Sequence, residues 1–82
     1  MNEMLIHPGL TLEEVLEDRN ITIDELSIKT NISIDLLNSI IGGKASIDKN
    51  IATKLQNSLS IDASFWLNLQ SYYDKDLESL YL

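Results

Sequence analysis

The chain has 82 residues, 44% of them apolar, with no cysteine and a formal net charge of −7. That length suits one domain with a small core, burying roughly 60–65% of the unfolded surface. The cysteine count excludes disulfides and thiolate zinc sites. No run approaches the roughly 18 apolar residues of a membrane span, and the opening MNEMLIHPG lacks the basic and apolar regions of a signal, so a cytoplasmic protein is expected.

The charge is unevenly spread. Residues 1–18 carry Glu3, Glu13, Glu14, Glu17 and Asp18, or −5. Residues 19–54 carry Arg19, Lys29, Lys44, Lys49 and Lys54 against Asp24, Glu25, Asp35 and Asp48, or +1. Residues 55–82 carry Lys75 against Asp62, Asp74, Asp76 and Glu78, or −3. An acidic total argues against a nucleic-acid partner. The clustering of five of the six bases in residues 19–54 argues the other way.

Residues 1–10 read as an extended arm, because His7-Pro8-Gly9 is a breaker cluster. His7 is the single histidine. It has no evident ligand partners, which favours a packing or turn role over a metal or pH-switch role. The helical core is expected over residues 11–73. Thr11-x-x-Glu14 has the form of a capping box and predicts a first helix from Thr11 to Arg19, with Leu12, Val15 and Leu16 as its apolar stripe. Arg19 complements the negative end of that helix.

The stretch from Thr22 to Lys44 carries the strongest local signals. Thr22-x-x-Glu25 is a second capping box, and Asn31 suits a left-handed helix exit. Ile32 fills the turn, and Ser33 caps the next helix. Leu37, Ile40 and Ile41 then repeat at i, i+3 and i+4 until Gly42-Gly43 stops it. Two short helices joined by a tight turn form a helix-turn-helix, whose second helix enters the DNA major groove. On that geometry the base-facing candidates are Ser33, Ile34, Asp35, Asn38 and Ser39, and the phosphate-facing candidates are Lys29, Lys44 and Lys49.

Asp48 caps a fourth helix running to Leu59, with Ile51, Ala52, Leu55 and Leu59 buried. Asp62 caps a fifth. There Phe65, Leu69 and Tyr72 share one face, while Trp66 and Tyr73 lie on an adjacent one. So wide an apolar sector either closes the monomer core or leaves Trp66 and Tyr73 for a second copy or a partner protein. Leu77, Leu80 and Tyr81 continue the pattern through the tail, residues 74–82, as an amphipathic extension and further interface candidates. No strand pattern, internal repeat or low-complexity run is present. The expected fold is all-α, with five helices and a C-terminal helical extension.

Enzymatic chemistry finds no support. Gly42-Gly43 follows a helix rather than joining a strand to one, Glu13 and Glu14 point to different sides of their helix, and Asp74 with Asp76 makes a poor cation site. No cofactor and no metal are expected.

His7-Pro8-Gly9, the helix-turn-helix from Thr22 to Gly43, the Gly43-Lys44 step with Ile47, and Ala63-Ser64-Phe65-Trp66-Leu67-Asn68-Leu69-Gln70 together resemble the HigA-type antitoxins. These are lambda-repressor-like helix-turn-helix proteins of the Xre family. The resemblance spans residues 6–76 and is most specific in the HPG opening and the FWLNLQ segment. It implies a homodimeric DNA-binding repressor of its own operon, with double-stranded operator DNA as ligand. It also implies a small HigB-type mRNA-cleaving ribonuclease as the toxin to be neutralised. Similar segments also open longer regulators that carry a metallopeptidase-like domain. The chain departs from the family where a phosphate-contacting Gln often starts the second helix, since Ile23 stands there, and where Ile34, Asp35 and Leu36 replace polar positions. A second expectation follows from that departure: a protein-binding module that keeps the fold, has lost DNA binding, and presents Ile23, Ile34 and Leu36 as an apolar patch.

Overall fold

Helices form in this chain where a side chain can take up the first free N–H groups, and they stop where a left-handed residue can close the last turn. In the computed structural model, which describes residues 6–80, five helices follow one another: α1 (Pro8–Arg19), α2 (Ile23–Thr30), α3 (Ile34–Ile41), α4 (Lys49–Leu59) and α5 (Ala63–Leu80). No strand occurs among the described residues.

The expected caps of α2, α3 and α4 are in place. Thr22 Oγ1 accepts from the Glu25 N–H at 3.1 Å, and Glu25 Oε1 accepts from the Thr22 N–H at 2.8 Å. That backbone bond, with a second from the Thr22 hydroxyl, holds the Glu25 carboxyl below its ordinary pKa. Ser33 and Asp48 cap α3 and α4 through bonds from the Leu36 and Ile51 N–H groups at 3.1 and 2.9 Å. Asn31 adopts the left-handed conformation at φ 60°.

α1 begins three residues earlier than expected. His7, not Thr11, is its cap: Nδ1 accepts from the Gly9 N–H at 2.9 Å, and Pro8 occupies the first turn, where its missing N–H costs nothing. Gly9 lies directly on the end of α3. A Cβ built there would fall 1.8 Å from the Ile40 carbonyl oxygen, a contact open only to glycine. The HPG triplet therefore sets how α1 meets α3. Arg19 also differs from expectation. Its Nη1 donates to the Leu59 carbonyl at 2.6 Å, so it closes the end of α4 rather than that of its own helix.

The core is one cluster fed by every helix. Leu12 and Leu16 of α1 meet Leu26 of α2, Leu37 and Ile40 of α3, and Ile51, Ala52, Leu55 and Leu59 of α4, with Ile32 and Ile47 entering from the loops. Trp66 of α5 lies at the centre with no exposed surface. This removes it from the interface candidates: the indole fills the monomer core, and among the described residues its Nε1 has no hydrogen-bond partner. The face of α5 is the reverse of part of the expected one. Trp66 and Gln70 are buried, Tyr73 and Leu77 half-buried, and Phe65 and Tyr72 exposed. Tyr73 packs edge-on against the His7 ring at 4.7 Å, so most of its inner side belongs to the monomer. Leu80 is 65% exposed at the end of α5 and stays available to a partner, whereas Tyr81 lies outside the described residues.

Gln70 supplies a link that hydrophobic pattern alone does not reveal. Its Oε1 accepts from the Ile47 N–H at 2.8 Å and its Nε2 donates to Asp74 Oδ1 at 3.0 Å. The loop between α3 and α4 is thereby pinned to α5, and a buried N–H is satisfied. At the head of α5 the expected Asp62 cap is replaced: the Ala63 N–H goes to Gln56 Oε1 at 2.7 Å, and Asp62 accepts from the Phe65 N–H through its backbone carbonyl at 3.0 Å.

Candidate nucleic-acid interface

The turn between α2 and α3 is rigid because its polar groups are paired. Ser27 Oγ donates to the Ile32 carbonyl at 2.6 Å. Thr30 Oγ1 donates to the Leu26 carbonyl at 2.7 Å and accepts from the Ile32 N–H at 3.2 Å. With Ile32 buried under the turn, α3 is held at one angle to α2.

α3 buries Leu37 and Ile40 completely, and Ile41 partly. At 100° per residue the opposite face is centred on Asp35, with Asn38 and Ile34 on one side and Ser39 on the other. Asp35 and Asn38 are exposed, Ile34 is 43% exposed, and Ser39 is half-buried. The structure therefore brings four of the five base-facing candidates onto one side of one helix. Ser33 stands at its N-cap. Its oxygen is engaged by the Leu36 N–H, and that bond leaves the hydroxyl hydrogen to donate elsewhere.

The three lysines lie on three separate elements, all exposed. Lys29 lies in the last turn of α2, one helical turn after Glu25, whose charge offsets part of its own. Lys49 is the first residue of α4. Lys44 is fixed most tightly: Gly43 takes φ 77°, and the Lys44 and Ala45 N–H groups both donate to the Ser39 carbonyl, at 2.7 and 3.2 Å. That fold-back holds Lys44 against the end of α3. Sequence reasoning placed Lys44 near the site but missed the Ser39 carbonyl that anchors it, a backbone contact without a sequence signal.

The apolar patch of the alternative reading is only partly present. Ile23 is half-buried and packs on the core, leaving Ile34 and Leu36, the latter 37% exposed. Ile28, at 83% exposure, is the most exposed large apolar residue of the region and was not anticipated as such.

His7 stands behind the site, where α1, the loop after α3 and α5 meet. Burial lowers its pKa, while the charge of Asp74 and a hydrogen bond with the Ala45 backbone act in the opposite sense. No helix among the described residues is long and apolar enough to cross a membrane.

A helix-turn-helix whose second helix turns Asp35, Asn38 and Ser39 away from the core, with exposed lysines on α2, on α4 and in the loop after α3, has the layout of a DNA-reading domain. Comparison with known proteins gives this class a family. No family model matches the chain. It is 35% identical over 75 residues to virulence-associated protein I of Dichelobacter nodosus, a match spanning 89% of this chain and 69% of that protein. Among solved structures it resembles an addiction module antidote protein of the HigA family from Coxiella burnetii. There the identity is 30%, the TM-score 0.83, and 92% of this chain and 83% of that one are covered. It also resembles the Pseudomonas aeruginosa antitoxin HigA solved with the higBA promoter, at 32% identity and a TM-score of 0.83, covering 95% and 84% of the two chains. The chain belongs to the HigA family of antitoxins.

Proposed function

We propose that this chain is an antitoxin-type repressor that binds double-stranded operator DNA as a homodimer, represses its own operon in the cytoplasm, and neutralises a small ribonuclease toxin. The observation that carries the reading is its likeness, over nearly its whole length, to a HigA antitoxin solved with promoter DNA. The polar outer face of α3 supports it. Asn38 can pair with an adenine edge, Asp35 can accept from a cytosine amino group, and Ile34 can pack on a thymine methyl. Ser33 and Ser39 flank them, while Lys29, Lys44 and Lys49 meet phosphates. Two subunits would place two such helices on half-sites about one helical turn apart. Leu77 and Leu80, with Tyr81 beyond the described residues, remain the candidates for the dimer contact.

DNase footprinting across the chain's own upstream region tests the reading. Protection of two half-sites spaced by about one helical turn is expected. The protein-binding alternative is favoured by one observation, the exposure of the apolar side chains Ile34 and Leu36 on α3. A footprint absent at every concentration that keeps the protein folded would favour it.

A further inference from the structure

A concave surface lies between α1 and the start of the helix-turn-helix. It is a groove of about 400 Å³ lined by residues of α1, the α1–α2 link, α2 and α3. Its floor is apolar: Leu16, Ile21, Ile23 and Ile41. Its α1 rim carries Glu13 and Glu17, one helical turn apart on the same face, where like charges repel. Both are exposed. The sole base of α1, Arg19, is turned to the Leu59 carbonyl at the far end of α4. The opposite rim is neutral, formed by Thr22 and Asn38. Nothing in this arrangement suits an anion, and the apolar floor lies directly beside the two carboxylates.

We infer that this groove receives a cationic segment of a partner protein, an apolar side chain seated on Leu16, Ile21, Ile23 and Ile41 with flanking Arg or Lys on Glu13 and Glu17. Charge complementarity fixes the partner's sign, and the apolar floor fixes the kind of side chain between its charges. A protein that grips RNA through its phosphates carries such a cationic surface. The identification of the partner with a ribonuclease rests on the antitoxin reading, whereas the groove's preference for a cationic segment does not. Asn38 belongs both to this rim and to the outer face of α3. A seated partner would therefore cover part of the base-facing surface.

The probe is a synthetic amphipathic peptide of alternating Arg and Leu. Two controls accompany it, one with every Arg replaced by Glu and one with every Leu replaced by Ser. Amide shifts of the full chain are followed by NMR during titration. The Arg–Leu peptide should bind at least tenfold more tightly than either control, with shifts confined to the neighbourhood of Glu13, Glu17, Ile21, Thr22 and Asn38. The double variant Glu13→Gln, Glu17→Gln should lose that preference while its thermal midpoint stays that of the parent. Equal binding by the Ser control, shifts spread to Asp74 and Glu78, or full affinity in the double variant would each overturn the inference. Operator binding by the unliganded chain involves no peptide, so failure here is separable from failure of the repressor reading.

Discussion

Replacing Gly9 by alanine should destabilise the fold severely, although the change adds one methyl group and favours helix. The new Cβ would lie 1.8 Å from the Ile40 oxygen, 2.7 Å from the Ile40 carbonyl carbon and 2.9 Å from the Ile41 Cα, all backbone atoms that no rotamer change can move aside. Reaching an ordinary contact of 3.4 Å requires α1 and α3 to part by roughly 1.6 Å. That opening falls between Leu12 of α1 and Leu37 and Ile40 of α3, all with no exposed surface. Forced separation of a packed core costs about 1–3 kcal/mol, and the voids it opens add about 2. Alanine's better helix propensity returns up to about 1 kcal/mol. The net loss is about 3 kcal/mol, against the roughly 4–12 expected of a domain this size. Urea unfolding followed by circular dichroism reads it directly: with a slope near 1 kcal/mol/M, the midpoint should fall by about 3 M. A midpoint within about half a molar of the parent's would refute the close approach of α1 to α3 as described.

Other substitutions probe the links around the site. Gln70→Leu removes the acceptor of the Ile47 N–H and should cost about 1–3 kcal/mol in the same assay. Gln70→Glu keeps an acceptor but sets a carboxylate beside Asp74, and should fall between the two. For His7 the burial-lowered pKa means that the neutral ring is the folded form. Its stabilisation is complete above the unfolded value near 6.5 and is lost as pH falls below it toward the folded value. The parent's thermal midpoint should therefore drop more between pH 7 and pH 5 than that of His7→Asn, which keeps a capping oxygen without the titration. Equal drops would refute this role. Lys44→Glu should weaken binding to every duplex and lower the salt slope by about 2 per dimer, one phosphate contact per subunit. An unchanged slope would remove Lys44 from the DNA face.

Local chemistry made most of the helix-turn-helix legible in the sequence. Thr22, Ser33 and Asp48 cap helices within three residues of themselves, so their roles need no tertiary information. The start of α1 was not legible for a related reason: Thr11-x-x-Glu14 imitates a capping box, while the working cap is an imidazole ahead of a proline. In α5, apolar residues at 65, 66, 67 and 69 leave the inward face undetermined by periodicity. The direction rests on tertiary contacts: Trp66 fills the core and Gln70, on the same side, reaches Ile47, 23 residues away, while Phe65 and Tyr72 face outward. Arg19 is a similar case, its partner being a backbone carbonyl 40 residues on. The outer face of α3 was legible because Leu37 and Ile40 fix the buried side of a helix only eight residues long.

The central claim is sequence-specific operator binding by an acidic chain with few bases. Fluorescence anisotropy with the chain's own upstream duplex, beside a scrambled duplex of equal length, tests it most directly when repeated at several salt concentrations. Three phosphate contacts per subunit predict a log–log salt slope of about −5 for the dimer, with clear preference for the native duplex. Equal affinity for both duplexes, or no binding to either, would contradict the account and leave the chain a protein-binding member of its family.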